Sequence, residues 1–234
     1  MVFPLYDDNP LKLPLRPYVT WGLIALNVAI FLIQVSASAV TSLAMVASFG
    51  VTPAVLMRAV PAGGSVPPEL TLITSMFLHG GWEHLLGNMI YLWVFGDDIE
   101  EALGRARFIV FYVVAGVAAA LGFIAFNPHS TTPLVGASGA ISGVLAGYLM
   151  LRPCARVSVF VLRAVVRVRA YWVIGGWVVM QLYFLLSHTE DGVAYGAHIG
   201  GLIAGAGLFF IMRPAGVELF ECMEQPGEEE AATG

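Results

Sequence analysis

Among the polar side chains inside long apolar runs of this chain, five stand as candidates for chemistry: His84 and Asn88 in one run, and Ser138, Gln181 and His198 in three others. An unpaired polar group is expensive away from water, and one inside a membrane span marks a functional site by default. Two of the five, Ser138 and His198, could act as a nucleophile and its base. A serine hydroxyl attacks a carbonyl carbon when a base within about 2.6–3.2 Å takes its proton, and histidine can accept and return that proton near neutral pH. The negative charge that develops on the carbonyl oxygen needs hydrogen-bond donors. Ser138 opens its apolar run, so the unpaired backbone N–H groups of a helix N-terminus are expected beside it. The chemistry suggested is acyl transfer by serine.

The elements that position these residues must be membrane helices. Of 234 residues, 58% are hydrophobic and 12% are charged, whereas soluble domains have roughly 45–50% and about 25%. That composition excludes a soluble globular enzyme and a disordered chain. Net charge is −5, and no basic surface is left over for nucleic acid. The chain is rich in glycine, with 26 residues, many inside apolar runs, as in close-packed membrane helices. Cys154 and Cys222 are too few for a disulfide framework. A bilayer core of about 30 Å takes about 20 apolar residues per helix. Six segments qualify, some as shorter pieces: 18–37, 84–96, 108–126, 138–151, 171–187 and 196–212. The expected fold is an all-α polytopic membrane protein with a long first outer loop. The halves show no sequence repeat, which argues against an inverted-repeat transporter.

Charge sets the orientation. Of the eleven basic residues, only Arg58 lies on the outer side in this scheme; Lys12, Arg16, Arg105, Arg107, Arg152, Arg156, Arg163, Arg167, Arg169 and Arg213 share the other. By the positive-inside rule both termini are cytoplasmic. Ser36-Ala37-Ser38-Ala39 is like a small-residue cleavage site, but the long apolar run behind Lys12 and Arg16 reads as an uncleaved anchor. The loop over about 38–83, broken by Pro53, Pro61, Pro67 and Pro68, is expected in the outer interface. The stretch from Arg163 to Arg169 is expected to rest on anionic headgroups. The segment after Arg213, with Glu218, Glu221, Glu224, Glu228, Glu229 and Glu230, is expected to be disordered. The organisation is thus a cytoplasmic segment 1–16, a core 17–213 and an acidic tail 214–234.

The same charges serve as a ruler. Ser138 is 14 residues above Arg152 and His198 is 15 above Arg213, about 21 and 22 Å at 1.5 Å per residue. His84 is 13 residues above Asp97, about 20 Å, with Asn88 about 6 Å lower. Three helices therefore carry polar groups at one level, roughly 8–10 Å below the outer edge of the core. Helix packing alone explains any one of them, but their agreement in depth favours one shared site reached from outside. Gly139, Gly143 and Gly147 recur every fourth residue in one run, and Gly201 and Gly205 repeat that spacing in another. Such small residues let two helix backbones approach closely enough for a Ser–His hydrogen bond.

At these residues the chain resembles the rhomboid family of intramembrane serine proteases, over about 18–213. The motifs are His84-x-x-x-Asn88 within His79-Gly80-Gly81-Trp82-Glu83-His84, Gly136-Ala137-Ser138-Gly139, and Ala197-His198-Ile199-Gly200-Gly201 with Gly205; Gly96, Glu100, Gly104 and Arg107 add support. The resemblance implies a six-transmembrane-helix bundle in which Ser138 is the nucleophile, His198 its base, and His84 and Asn88 the oxyanion-site side chains. Gly136, Gly139, Gly143, Gly201 and Gly205 then pack the helices at the site, and His79 braces the outer loop. It implies substrates among single-span or other transmembrane proteins, cut within the lipid bilayer near its surface, and the fifth span as a lateral gate. A bacterial plasma membrane is the expected location.

Soluble serine proteases use a third, orienting carboxylate. None is available at this depth, so a Ser–His dyad is expected, its imidazole held by packing. Glu83 lies beside His84 in sequence but points about 100° away on a helix. His79, Glu83 and His84 miss the spacing of a zinc motif by one residue, so no metal or other cofactor is expected. Two positions depart from the family pattern. Leu70-Thr71 stands where Trp-Arg is common in the outer loop, and Ser142 stands where an aromatic residue often stacks on the catalytic histidine; Tyr195 is a possible substitute.

Overall fold

The structure is a computed structural model and describes residues 3–8, 16–64, 66–161, 164–189 and 191–222. Lys12, Arg163, Glu224, Glu228, Glu229 and Glu230 lie outside the described residues. In chain order the elements are β1 (Phe3–Asp7), α1 (Tyr18–Ser36), α2 (Ala39–Phe49), α3 (Pro53–Leu56), α4 (Thr71–Thr74), α5 (Trp82–Leu103), α6 (Arg105–Phe126), α7 (Ser138–Leu151), β2 (Arg156–Val161), β3 (Ala164–Arg169), α8 (Ala170–Leu186) and α9 (Tyr195–Met212), with 3-10 turns at Pro68–Leu70 and Ser75–Phe77. Six helices, α1 and α5 to α9, occupy the six apolar runs. Among the described residues, α1, α6 and α9 are long and apolar enough to cross a membrane, and α7 and α8 are shorter apolar helices. α5 continues past the expected end at 96 to Leu103 and carries Asp98 and Glu100 as buried residues.

The bundle is built around α9, which lies against both α6 and α7, while α1 packs on α5. Close approach explains the glycines. A Cβ on Gly201 would overlap the Gly139 carbonyl, and one on Gly205 would overlap the Gly143 backbone, so the α7 and α9 backbones touch. Tyr112, Tyr148, Phe95, Phe108, Phe111 and Phe209 fill the interior. Large apolar side chains also face outward: Leu186 and Ile211 are 76% and 78% exposed. An aqueous surface does not tolerate so much contiguous apolar area, whereas lipid requires it. The chain is a mainly helical integral membrane protein.

The all-α expectation omits a sheet. β1, β2 and β3 form an antiparallel sheet in that order, at the end of the bundle that carries most of the basic residues. Arg156 pairs with Arg169 and Ser158 with Arg167. Val157 and Val159 turn inward and are buried against the bundle. Most of the stretch expected at the membrane surface, Ala164–Arg169, forms β3, an edge strand of this sheet that is exposed along most of its length. β1 comes from the segment before the first span, and Tyr148 Oη donates to Asp7 Oδ2 at 2.6 Å. Burial raises the Asp7 carboxyl above its ordinary range.

The same end is tied together by buried charge. Glu100, 3% exposed, accepts from Val19 N at 3.0 Å, Thr20 N at 2.7 Å and Thr20 Oγ1 at 2.8 Å. It thereby satisfies the first N–H groups of α1, which have no partner within their own helix. Arg152 pairs with Asp98 at 3.5 Å and with Glu221 at 3.3 Å. The start of the acidic tail is thus packed: Phe220 N donates to Met150 O at 2.7 Å, and Cys222 is disulfide-bonded to Cys154. Residues 223–234 of that tail lie outside the described residues.

Candidate active site

Ser138 is the first residue of α7 and is half-buried. The chain reaches it through Gly136, whose φ of +124° is a conformation that side chains with a Cβ rarely adopt. Gly136 N donates to Ser75 O at 2.9 Å, which fixes the turn against the outer loop. A Cβ on Gly136 would lie 2.6 Å from His84 Nε2 and 3.7 Å from Asn88 Nδ2. These two groups, one turn apart on α5, therefore converge on the backbone that leads into Ser138.

His84 Nδ1 faces the Gly80 N–H at 3.4 Å. An Nδ1 that accepts leaves the ring proton on Nε2, the atom beside Gly136. Asn88 is 7% exposed and its Nδ2 has no hydrogen-bond partner among the described residues. Behind His84, the His79 ring meets it edge-on with centroids 5.1 Å apart. The His79 backbone is held by Gln34 of α1, whose Nε2 donates to His79 O at 2.8 Å.

His198 sits one turn into α9. Its Nε2 is 2.9 Å from Ser138 Oγ, and its Nδ1 is 2.6 Å from Gln181 Oε1 of α8. Both Gln181 and His198 are buried. Trp177, four residues before Gln181 on α8, lies beside the imidazole with ring centroids 5.7 Å apart and planes inclined at 40°. The structure thus brings Ser138, His198, His84 and Asn88 to one place, with Gly136, Gly139, Gly143, Gly201 and Gly205 between the backbones that carry them. Such an arrangement has a hydroxyl, a base in contact with it and two N–H donors nearby, which are the parts acyl transfer uses.

Some placements differ from expectation. Tyr195 does not cover His198: it stacks on Phe184 at 5.3 Å and donates to Asp191 Oδ2 at 2.6 Å. Trp177 is the aromatic neighbour of His198. Ser142, at the position where the family often carries an aromatic residue, donates to Ser138 O at 2.6 Å. Packing is not all that holds the imidazole, since Gln181 bonds to its Nδ1. The signal for Gln181 was in the sequence, as the strongly polar residue of an apolar span, but its partner was not. Glu83 is exposed, and no cluster of three or more His, Cys, Asp or Glu side chains suited to a metal occurs among the described residues.

A family model described as the rhomboid domain matches residues 68–215. The chain is 31% identical over 134 residues to rhomboid protease GluP of Bacillus subtilis, covering 57% of this chain and 24% of that one. It is 39% identical over 80 residues to putative rhomboid protease YdcA of the same organism, covering 34% and 40%. It is 28% identical over 140 residues to rhomboid protease GlpG of Salmonella choleraesuis, covering 59% and 46%. In each case the similarity spans less than half of the relative's length. The matched domain runs from the turn before α4 to the end of α9 and contains Ser138, His198, His84, Asn88, Gln181 and Trp177; the chain belongs to the rhomboid family.

Proposed function

We propose that this protein is an intramembrane serine endopeptidase that hydrolyses peptide bonds in or near transmembrane segments of other membrane proteins. The observation that carries this reading is the 2.9 Å contact between Ser138 Oγ and His198 Nε2, made between two closely packed helices. His198 Nε2 takes the hydroxyl proton as Ser138 Oγ attacks the scissile carbonyl. The oxyanion is met by His84 Nε2–H, Asn88 Nδ2–H and the N–H groups at the start of α7. When the tetrahedral intermediate collapses, the peptide C–N bond breaks and His198 returns its proton to the leaving amine. A water molecule, deprotonated by the same histidine, then attacks the acyl ester and frees Ser138.

The depth of Ser138, His198 and His84 below the end opposite the basic residues supports entry of water from the outer side. In this reading six helices cross the bilayer, both termini are cytoplasmic, and the membrane is a bacterial plasma membrane. Substrate segments arrive through lipid beside α8, whose buried residues are limited to Ala170, Ile174 and Gln181. Neither a metal nor another cofactor enters the steps above.

The test is a fluorophosphonate probe together with a co-expressed membrane substrate. Wild type should be labelled and should cleave, whereas Ser138→Ala and His198→Ala should do neither while remaining folded. Labelling of Ser138→Ala would assign the nucleophile elsewhere.

A further inference from the structure

We propose that Gln181 is the positioning residue for His198, a neutral third member that sets the imidazole's tautomer and aim. The inference rests on the reading of Ser138 and His198 as nucleophile and base. Three helices contribute one atom group each to a continuous relay: Ser138 Oγ to His198 Nε2 at 2.9 Å, then His198 Nδ1 to Gln181 Oε1 at 2.6 Å. An amide oxygen only accepts. Nδ1 must therefore carry the ring proton, and Nε2 is left with its lone pair directed at the serine hydroxyl. That is the tautomer a base requires. With the amide turned over, its NH₂ would donate to Nδ1 and move the proton onto Nε2, where it would block the reaction.

Packing alone does not account for this residue. The other buried residues of α8 are Ala170 and Ile174, and an apolar side chain at 181 would fill the same space without the cost of burying an amide. What the amide supplies is a short hydrogen bond to the one ring nitrogen that does not face Ser138. A carboxylate would do the same for an imidazole in water, but here it would be a buried charge in a membrane helix. The amide orients the ring without introducing a charge. Trp177, one turn away on the same helix, restrains the face of the ring, so α8 limits both its rotation and its tilt.

The experiment uses the full chain in detergent, labelled with ¹⁵N-histidine, and a transmembrane peptide substrate. The imidazole ¹⁵N signals of His198, assigned by their loss in His198→Ala, should report the Nδ1–H tautomer in wild type. Gln181→Leu should mix or invert the tautomers and lower kcat by on the order of 10²-fold, the lower part of the range for acid–base catalysis, with KM unchanged and the melting temperature lowered, since the buried Nδ1 loses its partner. Gln181→Glu, which keeps an acceptor at the same reach, should restore kcat to within about tenfold of wild type. An Nε2–H tautomer in wild type would overturn the proposal even if the leucine variant failed to fold. So would wild-type kcat in a folded Gln181→Leu. Fluorophosphonate labelling of Ser138→Ala would instead sink the underlying reading of the dyad.

Discussion

His84 Nε2 occupies the space that a Cβ on Gly136 would take, 2.6 Å from where that atom would sit. The left-handed glycine before the serine and the histidine on α5 are thus two halves of one fit. Gly136→Ala meets both objections at once: a φ of +124°, which costs a side chain about 1–3 kcal/mol, and an overlap with the imidazole. We expect a lower melting temperature in detergent and a fall in cleavage on the order of 10²-fold or more, as for loss of an oxyanion donor. Cleavage at the wild-type rate would mean that His84 can move aside at no cost to the reaction.

His84→Ala and Asn88→Ala should each slow cleavage by on the order of 10²–10³-fold through kcat. Fluorophosphonate labelling of Ser138 should slow in parallel, since phosphonylation uses the same donors. Asn88→Ala should melt near wild type, because Asn88 Nδ2 has no hydrogen-bond partner among the described residues, whereas His84→Ala also loses the contact of Nδ1 with the Gly80 N–H and should melt lower. Full activity in both would reassign the pair to packing.

Gly205→Val tests the contact between α7 and α9. A side chain there must displace the Gly143 backbone, and overpacking of this kind costs about 1–3 kcal/mol. The His198–Ser138 contact lies two turns above, so the helices should separate at the site as well. Lower thermal stability with loss of labelling is the expected outcome. An unchanged melting curve would show that the helices slide past one another without strain.

Glu100→Ala leaves the first N–H groups of α1 and the Thr20 hydroxyl without their acceptor. Losing the partner of buried donors costs about 1–3 kcal/mol, so the melting temperature should fall. The site is at the other end of the bundle, and labelling of Ser138 below the melting temperature should be preserved. A variant as stable as wild type would show that water or another side chain caps α1 equally well.

Much of the helical frame was legible because lipid imposes a length and an apolar composition on each helix. The observed limits of α6, α7, α8 and α9 differ from the expected ones by only a few residues. Depth along the axis could be counted from charges, and on that basis Ser138 and His198 were expected at one level. Rotation about the axis could not be counted in the same way. That is why Gln181 was noticed as a polar residue but not paired with His198, and why Tyr195 was considered where Trp177 lies. The pairing of β1 with β2 went unread because most of the chain separates them, whereas β2 and β3 pair locally and the alternation of Arg with Val in β3 was assigned to a membrane surface instead. The packing of Glu221 and Cys222 depends likewise on where the end of α9 is delivered, which no spacing in the tail records.

The bond between Cys154 and Cys222 also has a topological consequence. It closes a covalent ring that includes β2, β3, α8 and α9, and therefore Gln181, Trp177 and His198, with Ser138 outside. A protease that nicks the backbone between α8 and α9 would open the ring without releasing a piece. On a gel the nicked chain should run as one species until a thiol reductant is added, and then as two.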